Sequence, residues 1–388
     1  MDRNRRNIAL LFAAYFLQGL VFYSPVATLY RQAAGVDILQ IGIIESISMV
    51  LMLALEVPWG CWADRLGHRR TLVICSFLFA LSKVIFWRAA DFWGFLLERV
   101  VLAVCMSGLS GCDSAYLFAC CTGAQEHRRV FSRWEAVQTA GLLCASLAWP
   151  LMGGDYRRSA LLTVFSYTAA AGLTLLLREP EGARAAAGRG ERPDFRAALR
   201  GTLALAPLLC GICLFKETVQ MVTVFLGQLQ FVRAGIPDGW FGALHAAVTV
   251  AGLAGGLSHR LTARLGERPA GCLLMGSAAA ICLLLGLSPA PLLAVAGVVA
   301  MRGLSALMNP LAVSLQNEQA PPAGRATQLS CNAMLMDLGA VCIYPAFGSL
   351  ADAGVEKALL FGAFCCILGL VFYYFGAKRL CRPPVDQA

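Results

Sequence analysis

The chain has 388 residues, of which 58% are apolar and only 14% charged, with a mean hydropathy of +0.66 and a formal net charge of +9. Soluble domains carry about 25% charged residues, so this composition excludes a water-soluble globule and points to an integral membrane protein. Twelve spans of about 20 residues or slightly more would leave roughly 100 residues for loops, which excludes a large extramembrane catalytic or nucleic-acid-binding domain.

Apolar segments follow one another at about 7–30, 38–60, 71–90, 92–121, 130–153, 158–178, 202–231, 239–258, 269–288, 290–317, 326–350 and 355–377. The first is too long for the apolar core of a signal peptide and shows no cleavage site, so it is expected to be a helix. Lys and Arg fall in short clusters between the runs. With the N-terminus inside, the inner segments hold 22 of them and the outer loops six (Arg31, Arg88, Arg157, Arg158, Arg233, Lys357). This bias predicts cytoplasmic termini in a cell membrane, and the clusters read as topology signals, not a nucleic-acid footprint. Residues 179–200, rich in Gly, Ala, Arg and acids, form the one long polar stretch and read as a cytoplasmic linker. The expected domains are therefore 1–178, a six-helix bundle, the linker 179–200, and 201–388, a second six-helix bundle. Most of the 16 cysteines lie inside apolar runs, where Cys behaves as a small hydrophobe. Cys210 and Cys213 form a lone C-x-x-C, with no second pair and no nearby His to make a metal site.

The halves repeat weakly at an offset near 200. Asp64-Arg65-Leu66-Gly67-His68-Arg69 after the second run matches Ala263-Arg264-Leu265-Gly266-Glu267-Arg268 after the eighth. Pro150 to Gly153 matches Pro345 to Gly348, and Arg99 matches Arg302. The segment from Gly60 through Asp64, Arg65, Gly67, Arg69 and Arg70 resembles G-x-x-x-D-R-x-G-R-(R/K), the signature between the second and third helices of the major facilitator superfamily. That resemblance covers nearly the whole chain. It implies twelve transmembrane helices in an all-α fold, as two bundles that rock about a central site. It also implies a cytoplasmic gate of Asp64, Arg65, Gly67, Arg69 and Arg70, joined by Glu56 before Pro58 and by Asp113; His68 stands where the family has Arg. Arg99 resembles the family's fourth-helix R-x-x-x-G element, with Ala103 for the Gly. It either faces a cavity or snorkels to the outer interface. Pro150, Gly153 and Gly154 resemble the helix-bending motif of exporters, with Ala145 and Trp149 replacing glycines; the alternative is a small-residue packing face. Pro25 to Tyr30 similarly resembles an exporter pattern, with Thr28 in place of its second Pro.

Ionisable residues inside a span mark pathways or structural pairs. Glu217 and Asp337 are the leading proton or substrate candidates, followed by Glu45; Lys216 is a further candidate or a structural partner of Asp337. Arg302 joins this set, and Gln18, Gln220, Asn309 and Asn332 are candidate cavity hydrogen-bonders. Lys83 and His245 are also buried ionisable groups. No G-x-x-x-x-G-K-S/T, H-E-x-x-H or G-x-S-x-G occurs, so neither an ATPase motor nor a common hydrolase site is expected. The resulting expectation is a monomeric, cofactor-free, proton-coupled exporter of small molecules, amphipathic ones included. Uptake by symport is the alternative, and a sensor or assembly factor on the same scaffold is the reading from a different class. Reporter fusions after Leu66 and within 179–200 test the topology: both are expected to report the cytoplasm, and opposite sides would contradict the twelve-span reading.

Overall fold

A peptide group in hydrocarbon has no water to bond, so long apolar runs must satisfy their own N–H and C=O groups as helices. The computed structural model describes residues 3–121, 124–180, 195–320 and 325–380, and among these no strand occurs. The first span is α1 (Arg3–Gly19), a 3-10 turn (Ser24–Val26) and α2 (Ala27–Ala33). Next come α3 (Ile38–Leu66), α4 (His68–Arg88), the fourth span as α5 (Phe92–Leu109) and α6 (Cys112–Ala119), then α7 (Ala124–Leu147) and α8 (Tyr156–Leu175). The second half opens with α9 (Phe195–Ala204). The seventh span combines α10 (Ala206–Gln220), a π-helical turn (Met221–Leu226) and α11 (Gly227–Arg233). The eighth combines α12 (Phe241–Ala251), a 3-10 stretch (Gly252–Leu257) and α13 (Ser258–Leu265). The last four are α14 (Glu267–Leu287), α15 (Pro291–Gln319), α16 (Arg325–Asp352) and α17 (Val355–Leu380).

Among the described residues, ten of these spans are long and apolar enough to cross a bilayer. Helices α7 and α8 complete the twelve. The first half of α7 carries Glu126, Arg128, Arg129, Arg133 and Glu135, and α8 carries Arg157 and Arg158 among Ser, Thr and Tyr, which lowers the hydropathy of both. Of the linker expected at 179–200, residues 181–194 lie outside the described residues; Phe195 onward is helical. The repeat is visible in the backbone. Glycines with positive φ recur as Gly35 and Gly235, Gly67 and Gly266, and Gly154 and Gly354. Gly67 (φ 85°, ψ 148°) and Gly266 (φ 83°, ψ 159°) turn the chain alike from α3 into α4 and from α13 into α14. Only Gly adopts this geometry without strain.

The chain divides into two compact units. The first holds Met1–Val36, Ile47–Arg189 and Asp238–Ala246. One core cluster of this unit gathers Leu11, Tyr15, Trp59, Leu72, Tyr116 and Leu177 around Cys75, Cys105, Cys112 and Cys120, all free thiols packed as small hydrophobes. Helices α1 and α7 cross closely, because a Cβ on Gly19 would strike the Gln138 carbonyl oxygen and one on Gly141 would strike that of Phe16. The segment from Asp238 packs here: Trp149 Nε1 donates to the Asp238 carbonyl (2.8 Å), and His245 lies 2.9 Å from both Ser24 Oγ and Ser146 Oγ.

The second unit holds Asp37–Ser46, Gly190–Pro237 and Ala247–Ala388. The opening turn of α3 is capped here by Asp352, whose two carboxylate oxygens accept from the Ile38 and Leu39 N–H groups at 2.9 Å each. Packing relies on small residues. Gly211 lies against Gly369, and Gly271 against the Tyr373 ring, whose hydroxyl donates to the Glu267 carbonyl. Large apolar side chains remain exposed, among them Leu292 (83%), Leu151 (84%), Trp93 (70%) and Phe165 (62%), a surface suited to lipid tails and not to water.

These crossings set a matched pair of substitutions. Gly19→Ala is expected to lower stability in detergent by about 1–3 kcal/mol through overpacking. Gly172→Ala, where a Cβ meets nothing within 4 Å, is expected to be neutral or stabilising. Thermal unfolding followed by size-exclusion fluorescence checks both, and equal melting of the two variants would contradict the packing argument.

Candidate functional site

In the second unit, α10 carries Lys216 and Glu217 and ends at Gln220, where the backbone widens into the π-helical turn. Such single turns recur at functional sites, because the extra residue re-aims side chains and leaves carbonyls less well paired. Neighbouring helical residues point about 100° apart. Accordingly Glu217 is buried (4% exposed) while Lys216 is exposed. The Tyr344 hydroxyl on α16 donates to Glu217 Oε2 at 2.6 Å. Asp337 lies two turns earlier on the same helix and is half-buried, and Lys216 and Asp337 are the charged neighbours that Glu217 feels. Ionisable groups buried inside a span are rare and mark ion or substrate pathways or structural pairs. Phe225, within the π turn, packs against Tyr344 at 6.4 Å between ring centroids.

The other sequence candidates lie elsewhere. Asn332 is fully buried in a structural chain: Thr202 Oγ1 donates to its Oδ1 (2.8 Å) and its Nδ2 donates to Gln316 Oε1 (3.3 Å). Gln220 is half-buried at the end of α10. Arg302 on α15 packs over Gly252, where a Cβ would lie 3.1 Å from its Nε. Glu45 is buried in α3, beside Ser46, whose hydroxyl donates to the Val341 carbonyl. In the first unit Gln18 is buried in α1, and Arg99 is half-buried in α5 next to buried Glu98.

The loop residues expected to gate are not all joined. The side chain of Asp64 lies outside the described residues. Arg65, Arg70 and Glu56 are exposed. Arg69 instead ties off the end of the sixth span, its Nε donating to the Leu177 carbonyl (2.5 Å) and a terminal nitrogen to that of Leu175 (3.3 Å). This suits a cation at a helix C-terminus. Asp113 accepts from the Tyr15 hydroxyl (3.3 Å) and from the N–H of Ser114. Pro150 opens a 3-10 turn after α7 has ended, and Gly153 and Gly154 follow with φ of 64° and 77°. These residues terminate the span and do not bend a continuous helix, because Pro lacks the N–H that would extend it and left-handed glycines reverse the chain.

Tyr344 escaped the sequence reading, although it stands seven residues after Asp337, on the same helical face. The sequence reading takes Lys83 as a lone buried charge and passes over Glu98 beside Arg99. Lys83 stands well inside α4 and Glu98 well inside the next helix, α5, with opposite charge, which is the signal that would have joined them.

The model of the Major Facilitator Superfamily matches residues 9–342. An uncharacterized MFS-type transporter of Methanocaldococcus jannaschii is 22% identical over 121 residues, 31% of each chain. An uncharacterized transporter of Buchnera aphidicola is 25% identical over 116 residues, covering 28% of this chain and 29% of its own. The chain thus spans about a third of the length of the curated relatives it matches. Among solved structures, the nucleoside transporter NupG superposes with a TM-score of 0.80 at 14% identity, over 99% of this chain and 100% of its own. A D-xylose-proton symporter superposes with a TM-score of 0.73 at 13% identity, over 98% of each. Such identities speak for the fold alone, and the fold agrees with the family match: this chain, a multi-pass membrane protein, belongs to the major facilitator superfamily.

Proposed function

We propose that the chain is a secondary transporter of small molecules that exposes a mid-membrane site alternately to the two sides of the cell membrane and draws its energy from protons. The observation that carries this reading is Glu217, a carboxylate buried beside a π-helical turn with Tyr344 on one oxygen and Lys216 and Asp337 as charged neighbours. Such a group costs stability unless its charge is used. In this reading residues 1–178 and 201–388 act as the two moving bundles, 179–200 links them, both termini are cytoplasmic, and a monomer without cofactor suffices. Export is the favoured direction, on the resemblance of Pro25 to Tyr30 and of Pro150 to Gly154 to exporter motifs. Uptake by proton symport is the second reading, favoured by the likeness in fold to a D-xylose-proton symporter.

Cells making the protein are expected to retain less of at least one compound in a panel of dyes and drugs, with the difference abolished by a protonophore. Glu217→Gln is expected to remove that difference while leaving the amount of protein in the membrane unchanged. Greater retention of a compound would reverse the direction to uptake. A difference that survives both the protonophore and Glu217→Gln would contradict proton coupling through this residue.

A further inference from the structure

A second buried carboxylate lies in the first unit, apart from the site above. Lys83 on α4 and Glu98 on α5 face each other, with Lys83 Nζ 3.5 Å from Glu98 Oε1 and side-chain exposures of 6% and 2%. The two partners are compensated unequally. The ammonium of Lys83 also donates to the Tyr23 hydroxyl (3.2 Å). It sits over two further rings, at 5.2 Å from the centroid of Phe79 and 5.4 Å from that of Tyr167. An aromatic face is negative and attracts a cation. Among the described residues, Glu98 has one polar contact, through Oε1 to Lys83. Its Oε2 is fully buried and has no hydrogen-bond partner among the described residues.

A purely structural ion pair would satisfy both oxygens, since an orphaned acceptor bearing charge is among the costliest buried features. A carboxylic acid avoids most of that cost, because a neutral group is cheaper to leave unpaired than an ion. The surroundings favour keeping the positive charge on Lys83 while Glu98 changes state. The groups that face the pair are Tyr23 from the first span, Tyr167 from α8 and Cys105 from α5, while half-buried Arg99, next to Glu98 in sequence, points about 100° away on the helix. Arg31 of α2 lies one layer away, over the rings of Phe86 (5.8 Å) and Phe95 (6.0 Å).

We infer that Glu98 is a proton-binding site of the first unit, with Lys83 as the fixed counter-charge that its protonation releases. A hydronium ion gives its proton to Oε2, forming one O–H bond and leaving a water molecule. The pair thereby passes from net zero to net positive, and no electron is transferred. Loss of the attraction frees α4 from α5 at this level, so proton occupancy sets how tightly the two helices are held. The place of this site in a transport cycle rests on the proton-coupled reading above, but its protonation does not.

Infrared difference spectroscopy of the full chain in lipid vesicles, stepped through pH without any solute, reads the site directly. The wild-type protein is expected to show a carboxylic-acid carbonyl band that grows as pH falls, and Glu98→Gln is expected to lose one such component. Lys83→Met is expected to keep that component present to higher pH, because the counter-charge is gone. Should Glu98→Gln fail to fold, Lys83→Met/Glu98→Gln, which strands no charge, is compared with Lys83→Met in its place. Superimposable difference spectra with and without Glu98 overturn the inference. A titrating Glu98 in a protein that moves no compound in the retention panel would sink the transport reading and leave this one standing; proton-driven retention with an unchanged spectrum would do the reverse.

Discussion

The structure depends on a single constraint: inside hydrocarbon no polar group finds water. The backbone answers by closing its own hydrogen bonds in helices. Side chains answer less completely, and they differ in how completely. Arg69 donates to two carbonyls at the end of the sixth span, and Asn332 bonds Thr202 and Gln316. Both stabilise junctions between helices. Glu98 stands apart because its buried Oε2 has no hydrogen-bond partner among the described residues, and Glu217 because a buried carboxylate is met by one tyrosine hydroxyl.

The two units use this chemistry in parallel without copying it. The shared turn at Gly67 and Gly266 shows one backbone design repeated along the chain. Each unit then holds a deeply buried carboxylate with a lysine and a tyrosine close by. In the first, the tyrosine and the rings hold the lysine. In the second, the tyrosine holds the carboxylate itself and the lysine is exposed. The same three residue types therefore build two sites whose charges are compensated differently.

Much of the fold was legible in the sequence because hydropathy and the arginine bias report directly on the solvent. The twelve segments correspond to the helical spans, and Gly67 and Gly266 stand where the repeat placed a turn. The site was legible only in part. Glu217 could be placed near a span centre by counting, but Tyr344 could not be seen as its partner, because pairing depends on which faces of α10 and α16 meet. The π turn at Met221–Leu226 leaves no mark in composition. Pro150, Gly153 and Gly154 read in sequence as a bend within the helix, or as a packing face, whereas the span ends there. Glu98 was masked by its neighbour Arg99, since a charge pair in sequence reads as one polar spot although the two side chains point apart.

The central claim is that the buried carboxylates Glu98 and Glu217 carry protons across the membrane. Its most direct test is the protein reconstituted in liposomes with a pH dye trapped inside, challenged with each of a panel of small solutes at zero membrane potential. At least one solute is expected to shift the internal pH, with the shift lost when Glu98 and Glu217 are both replaced by Gln. An internal pH that stays unchanged for every solute while labelled solute still crosses would contradict the claim.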